Sequence, residues 1–212
     1  MLVKVPNRNR ALWAACCVEF FSFLCCSEFM APDSGPFDPQ VHLCMADLAY
    51  VHDETHNHIE VQIKASTTDQ YRQGMRVALG ATGASICPVS ALLNYLTIRG
   101  NCPGALFVNE NGSPMRRGQF VLKVQQALQQ TGVIRHHFNG HSFRIGAATS
   151  ASQAGVLKTM IKILGRWSSM AYQQYIRPST SAAAAVSRYV CCSLPSTAVK
   201  TTSAGSPCHK WP

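Results

Sequence analysis

The sequence predicts an α+β chain, mostly helical with a small antiparallel sheet, on three observations. Apolar residues recur at helical spacing in several capped segments. Two short apolar strands, 59–66 and 76–80, flank a polar turn. Gly, Pro and Ser clusters punctuate the rest.

Taken in order, residues 11–30 read as a first buried helix that ends before Ala31-Pro32, preceded by a short N-terminal extension, 1–10. Its basic flank and apolar run imitate a secretory leader, but Glu19 interrupts the run and no small-residue cleavage site follows. No segment is long and apolar enough to span a bilayer, so no membrane partner is expected. Residues 31–58 are rich in turns, with PDSGPFDP as loop and VHLCMADLAYV alternating as a strand. IEVQIKAS pairs with RVALG across TTDQYRQG. PVSALLNYLTIR, 88–99, is an amphipathic helix with Pro88 at its first position, where a missing N–H costs nothing.

ALFVNENGSPM supplies a short strand and an Asn-Gly turn. RGQFVLKVQQALQQT, 117–131, is a helix with Phe120, Val121, Val124, Ala127 and Leu128 on one side. GHSFRIGAATSA and VLKTMIKIL are two more helices, the second closed by Gly165 as a left-handed residue just past its end. Ser168 or Ser169 caps a last short helix carrying Tyr172 and Tyr175, which Pro178 terminates. Residues 191–212, rich in Ser, Thr and Pro, read as a disordered tail. The domain is expected over 11–190, within 212 residues that suffice for a substantial core.

Charge narrows the function. The formal net charge is +9, and its distribution is one-sided: all ten acidic residues lie at or before Glu110, whereas twelve Lys and Arg and no acid follow Asn111. Such a field favours a polyanion, and nucleic acid is the expected partner. The ten cysteines include three adjacent pairs and no C-x-x-C spacing, which points away from a disulfide scaffold or a zinc site and toward buried free thiols. His52, His56 and His58 near Cys44 fall in a polar loop and are not expected to hold a metal.

The chemistry concentrates between Asn139 and Pro178. His141 and Arg144 are three apart, so one helix face can present both to a single anion, and a guanidinium suits phosphate because its planar fork binds two oxygens and keeps its charge. A phenol that follows at a distance is a plausible nucleophile, forming an ester and leaving again when the step reverses.

HSFRIGAA, then LGRW, then the tyrosine of YIRP resembles the catalytic domain of the tyrosine recombinases, over roughly residues 11–178, and the wording HSFRIGAAT and LGRWSS…YIR is closest to recombinases carried by DIRS-type retrotransposons. The resemblance implies DNA integration or recombination through a 3′-phosphotyrosine. Tyr175 would be nucleophile, Arg144 and His141 would hold the non-bridging oxygens, and Trp167 would pack and hydrogen-bond at the site. Tyr172 would be core.

In that family the tyrosine stands nine positions after a His or Trp that follows a glycine; here Arg166 is nine before Tyr175 and Trp167 eight. The resemblance further implies double-stranded DNA as partner, no cofactor or metal, contacts with other recombinase protomers, and a nuclear location. It also leads one to expect the catalytic half alone, with no helical clamp domain ahead of it. Arg116, Arg117, Lys123, Arg166 and Arg177 are candidate contacts to the DNA backbone.

Two positions depart from the family pattern. A block like FLRSGEF carries the family's first catalytic arginine; here it reads FLCCSEF, with Cys25 at that place and Glu28 matching the acidic residue. In the turn where KxSKTD supplies the general-acid lysine, this chain has Thr67, and Lys64 lies three positions earlier on the opposite strand face. A neutral thiol cannot clamp a phosphate oxygen. The sequence therefore predicts a recombinase-type, DNA-binding domain with impaired cleavage, with a non-catalytic DNA-binding remnant or domesticated scaffold as the alternative.

Overall fold

A computed structural model describes residues 9–52, 57–64, 74–134 and 137–177. Six helices and one three-stranded sheet make up these residues: α1 (Arg10–Phe21), α2 (Cys26–Phe29), β1 (Leu48–His52), β2 (Asn57–Ile63), β3 (Met75–Gly80), α3 (Pro88–Arg99), α4 (Arg117–Gln130), α5 (Ser142–Gln153) and α6 (Lys158–Leu164), followed by a 3₁₀ turn at Met170–Tyr175. Thr67, Pro178 and the expected tail at 191–212 lie outside the described residues.

The sheet is antiparallel in the order β1-β2-β3, with Tyr50 opposite Ile59 and Val61 opposite Val77. Its period of two is plain in β2, where Ile59, Val61 and Ile63 enter the core and His58, Glu60 and Gln62 turn away. The strand expected over 41–51 is shorter than its pattern: Met45–Asp47 is a 3₁₀ turn because the Asp47 carboxylate accepts the Cys44 N–H at 2.6 Å. Helix α3 starts at Pro88 as expected. The Asn111-Gly112 turn joins Val108 to Pro114 through an isolated bridge, with Gly112 at φ 78°. Leu92, Tyr95, Leu106, Phe107, Met115 and Phe120 form the main core with α1, and a second cluster gathers Phe23, Ala147, Ala148, Ile161, Trp167 and Tyr172. In α4, Phe120 and Val124 are buried, whereas Ala127 is exposed.

Two expectations are corrected. The helix expected over 11–30 breaks after Phe21: Phe23 takes a left-handed φ of 53°, and α2 begins afresh at Cys26. The carbonyls released at the break, Ser22 O and Phe23 O, accept the Arg166 guanidinium at 3.0 and 3.1 Å. A partner some 143 positions away in sequence satisfies this helix end, so no local signal marks it. Second, Gly165 is not left-handed; it has φ −82°, and the following Arg166 takes φ 57° instead.

Glycine is needed at 165 for space, since a Cβ there would lie 1.7 Å from the Trp167 ring. Gly165→Ala must therefore push a buried indole out of place. The expected cost is about 2–3 kcal/mol, or roughly 5–10 °C in the thermal midpoint, and a midpoint unchanged within error would contradict this packing.

Candidate functional site

The site forms where the α1–α2 break, the start of α5 and the α6–Trp167 turn meet. Glu28 is the hub. Its backbone sits in α2, and its Oε2 accepts the Cys25 N–H at 2.7 Å, fixing the residue that precedes the helix. The same oxygen pairs with Arg144 Nη1 at 3.2 Å and with Arg166 Nη2 at 3.2 Å. All three side chains are nearly closed to solvent, at 1%, 4% and 7% exposure. Removing one partner of such a buried pair costs about 3–5 kcal/mol, because a charge is left without compensation.

Arg144 projects from the first turn of α5. Nη2 donates to Gly165 O, Nη1 also donates to Cys25 Sγ at 3.2 Å, and the guanidinium lies 4.7 Å from the Trp167 ring centroid and 5.8 Å from that of Tyr175. The two rings are themselves 5.1 Å apart, and Tyr172, 6.2 Å from Trp167, is buried as a core residue. Arg144 Nε is buried and has no hydrogen-bond partner among the described residues.

His141 is the N-cap residue of α5, and Asn139 Oδ1 accepts its backbone N–H at 2.9 Å. Its Nδ1 is 3.1 Å from Cys25 Sγ. Burial pushes the Cys25 thiol pKa up, against the pull of Arg144, so the sulfur keeps its proton. A protonated Cys25 accepts from Arg144 and shares a hydrogen bond with His141 Nδ1, linking the two residues through the position where the resemblance expects an arginine. Gly140 permits this approach, since a Cβ there would meet Cys26 Sγ at 2.5 Å. A cleft of about 500 Å³ runs along this edge, with Arg117, Gln125, Cys25 and His141 in its walls.

Tyr175 is half-buried at the end of the 3₁₀ turn, and Ser169, one of the two expected caps, starts that turn by accepting the Ala171 N–H at 3.2 Å. Thr149 fixes the far end: its Oγ1 donates to Tyr175 O at 3.0 Å and accepts the Arg177 N–H at 3.1 Å. The nucleophile candidate is thus tied by its backbone to the helix that carries Arg144. Sequence reading missed Thr149, and only its place two turns inside α5 could have drawn attention to it.

The structure brings Tyr175, Arg144 and Trp167 together, and His141 joins them through Cys25. It moves Arg166 out of the set of candidate DNA-backbone contacts. Its guanidinium is buried against Glu28 and the Ser22 and Phe23 carbonyls, and burial draws its pKa down from the ordinary arginine value while Glu28 opposes that shift. Arg116 donates to Pro32 O and Gly35 O, Arg117 pairs with Asp33 at 3.3 Å, and Lys123 donates to Asn109 Oδ1 at 3.1 Å. The Arg177 side chain is exposed. Lys64 is committed elsewhere, to Asp47 at 2.6 Å and Pro39 O at 2.7 Å. No group of three or more metal-ligating side chains occurs among the described residues.

No protein-family model and no curated protein sequence matches the chain. Among solved structures it is similar to the XerH site-specific recombinase bound to its difH substrate in a pre-cleavage complex, with a TM-score of 0.53 and 19% identity over 88% of this chain and 48% of that one. It is also similar to the Tn1549 transposon integrase in complex with circular intermediate DNA, with a TM-score of 0.47 and 13% identity over 84% of this chain and 57% of that one. The chain spans about half the length of the XerH chain. Its fold is that of a tyrosine recombinase catalytic domain, mostly helical with a small antiparallel sheet.

One group near the site showed in sequence only as a break in an apolar run. Glu19, on α1, has 0% exposure, and neither carboxyl oxygen has a hydrogen-bond partner among the described residues. Burial first and the charge of Glu28 second push its pKa up to about 9 from the ordinary 4.5. Between those two values the folded chain holds a proton that the unfolded chain has released, so stability falls as pH rises through that window and levels off above it. Linkage sets the loss at about 3 kcal/mol by pH 7. Glu19→Gln is expected to gain stability over wild type as pH rises from about 5 to about 8.5, and urea midpoints that run parallel over that range would contradict the assignment.

Proposed function

We propose that this chain is a DNA-binding, tyrosine recombinase-like domain that acts in DNA integration or recombination through a 3′-phosphotyrosine, with turnover limited by the residue at position 25. One observation carries the reading: a buried guanidinium, Arg144, lies against both the Trp167 ring and the Tyr175 ring, beside a cleft walled by His141 and Arg117. Arg144 and His141 would bind the non-bridging oxygens, Trp167 would wall the pocket, and Tyr175 would attack phosphorus. The LGRWSS…YIR wording supports an ancestry among recombinases of DIRS-type retrotransposons, and a nuclear location is part of the same proposal. Partner protomers belong to the same reading.

Cys25 supports a second reading, a DNA-binding remnant or domesticated scaffold without cleavage. An arginine that stabilises a phosphoryl-transfer transition state is worth about 10³–10⁵ in rate, or roughly 4–7 kcal/mol. The neutral thiol supplies none of that charge.

Purified chain incubated with nicked half-site DNA should form a slow, denaturation-resistant adduct that Tyr175→Phe abolishes; equal adduct from both proteins, or from neither, overturns the Tyr175 assignment. Cys25→Arg should raise the adduct rate about 10³-fold, and its charge should bring the buried Glu19 carboxyl into ionisation, flattening the pH slope of stability. An unchanged rate with an unchanged slope would show that position 25 is not where the missing guanidinium belongs.

A further inference from the structure

Resting on the proposed strand-transfer reading, we infer that Arg117 brings a second guanidinium to the phosphate, from the wall of the cleft that it shares with Cys25 and His141. Its root is fixed relative to position 25 by main-chain bonds. Ala31, two residues past the end of α2, donates its N–H to Met115 O at 3.1 Å, and its carbonyl accepts the Arg117 N–H at 2.9 Å. The Phe29 and Phe120 rings meet edge to face with centroids 5.6 Å apart. The start of α4 and the short helix that follows Cys25 are therefore one packed unit, and no loop sets the distance between Arg117 and Cys25.

Among the described residues that line this cleft of about 500 Å³, Arg117 is the only permanent cation; His141 is the other basic group, and Cys25 and Cys26 are thiols. Arg144 meets the cleft through Cys25 Sγ, to which its Nη1 donates at 3.2 Å, and it shares its charge with Glu28. A phosphodiester carries its charge on two non-bridging oxygens. With a neutral thiol at position 25, the wall of the cleft leaves Arg117 to answer part of that charge.

The present partner of Arg117 gives way readily. Both it and Asp33 are half-exposed, their closest approach is 3.3 Å, and Asp33 engages the Nε and Nη2 edge. An exposed pair of that kind adds little stability. A phosphate offers the same edge two charged oxygens in a bidentate fit, so DNA displaces the carboxylate. Asp33 itself stays in place, because its Oδ1 accepts the Gly118 N–H at 2.6 Å, and a Cβ on residue 118 would lie 2.8 Å from that oxygen. The carboxylate is thus a standing counter-ion that holds Arg117 beside the cleft until an anion arrives. Arg117 donates hydrogen bonds and keeps its own proton throughout. It does less than a buried arginine would, since solvent and salt screen an exposed charge.

The test is a double-mutant cycle between positions 117 and 25, read as the maximal adduct rate at saturating nicked half-site DNA. Arg117→Ala is expected to lower that rate about 10²-fold in the wild-type chain, and less than about fivefold in Cys25→Arg, where the oxygen already has its guanidinium. A second cycle needs no change at position 25. Asp33→Asn keeps an acceptor for the Gly118 N–H and removes the counter-charge, so it should raise the wild-type rate about fivefold and leave that of Arg117→Ala unchanged. The Arg117 and Asp33 variants should keep the wild-type thermal midpoint, since both side chains are exposed. A loss of equal size in both backgrounds, or a rise only in the DNA concentration that gives half the maximal rate, would make Arg117 an ordinary backbone contact. Either result overturns the inference and leaves the strand-transfer reading intact. No adduct from any of these proteins, Cys25→Arg included, would overturn that reading itself.

Discussion

A single carboxylate shared by two guanidiniums sets the geometry of this molecule. Glu28 is nearly sealed from water, and its Oε2 holds Arg144 from α5 and Arg166 from the α6 turn at equal distance while it also fixes the Cys25 N–H. Three segments far apart in sequence therefore converge on one oxygen. In a low-dielectric interior that arrangement is costly unless every partner is present, and each of the three has the others. The break between α1 and α2 follows from it. A continuous helix would carry Glu28 away on a regular spiral, whereas the left-handed turn at Phe23 brings it under the two arginines and frees two carbonyls for Arg166.

Legibility followed the range of the forces involved. Elements made by local rules were readable: Pro88 opens α3, Asn111-Gly112 turns the chain, alternation places β2, and Arg117 begins α4. The HxxR spacing put Arg144 inside the site for the same reason, since one helix turn is a local fact. What was not readable depends on tertiary packing, in the case of Arg166 on partners more than a hundred positions away. Arg166 looked like a surface cation because it is basic and follows a glycine, yet tertiary packing turns it inward. Gly165 looked like a left-handed cap, and in fact makes room for an indole. Glu19 gave only an interruption in an apolar run, with no hint that it would be sealed in without a hydrogen-bond partner.

The aromatic wall explains how the site tolerates this crowding of positive charge. Trp167 presents its face to Arg144, and a ring face carries the negative part of its quadrupole, so the guanidinium is stabilised where no second carboxylate reaches it. The same indole spaces Tyr175 from the core, and Thr149 ties the backbone on either side of that tyrosine to α5. Arg144 and Tyr175 are thus held to one helix by independent means, which keeps their separation insensitive to movement of the loops around them.

Protonation sets the charge of the buried cluster around position 25. With Arg144 and Arg166 charged, Glu28 ionised and the Cys25 thiol neutral, the buried cluster carries one net positive charge. An ionised Glu19 would cancel that charge, but it lies with no donor to its oxygens and beside the negative Glu28, so it takes up a proton instead. The excess positive charge survives, beside the Trp167 and Tyr175 rings. On the proposed reading, a thiol in place of a guanidinium at position 25 would leave the sign of the pocket unchanged while giving up the transition-state stabilisation of a second phosphate-facing arginine. Binding and turnover would then part company at this one residue, because binding depends on the sign of the field and turnover on where its charges sit.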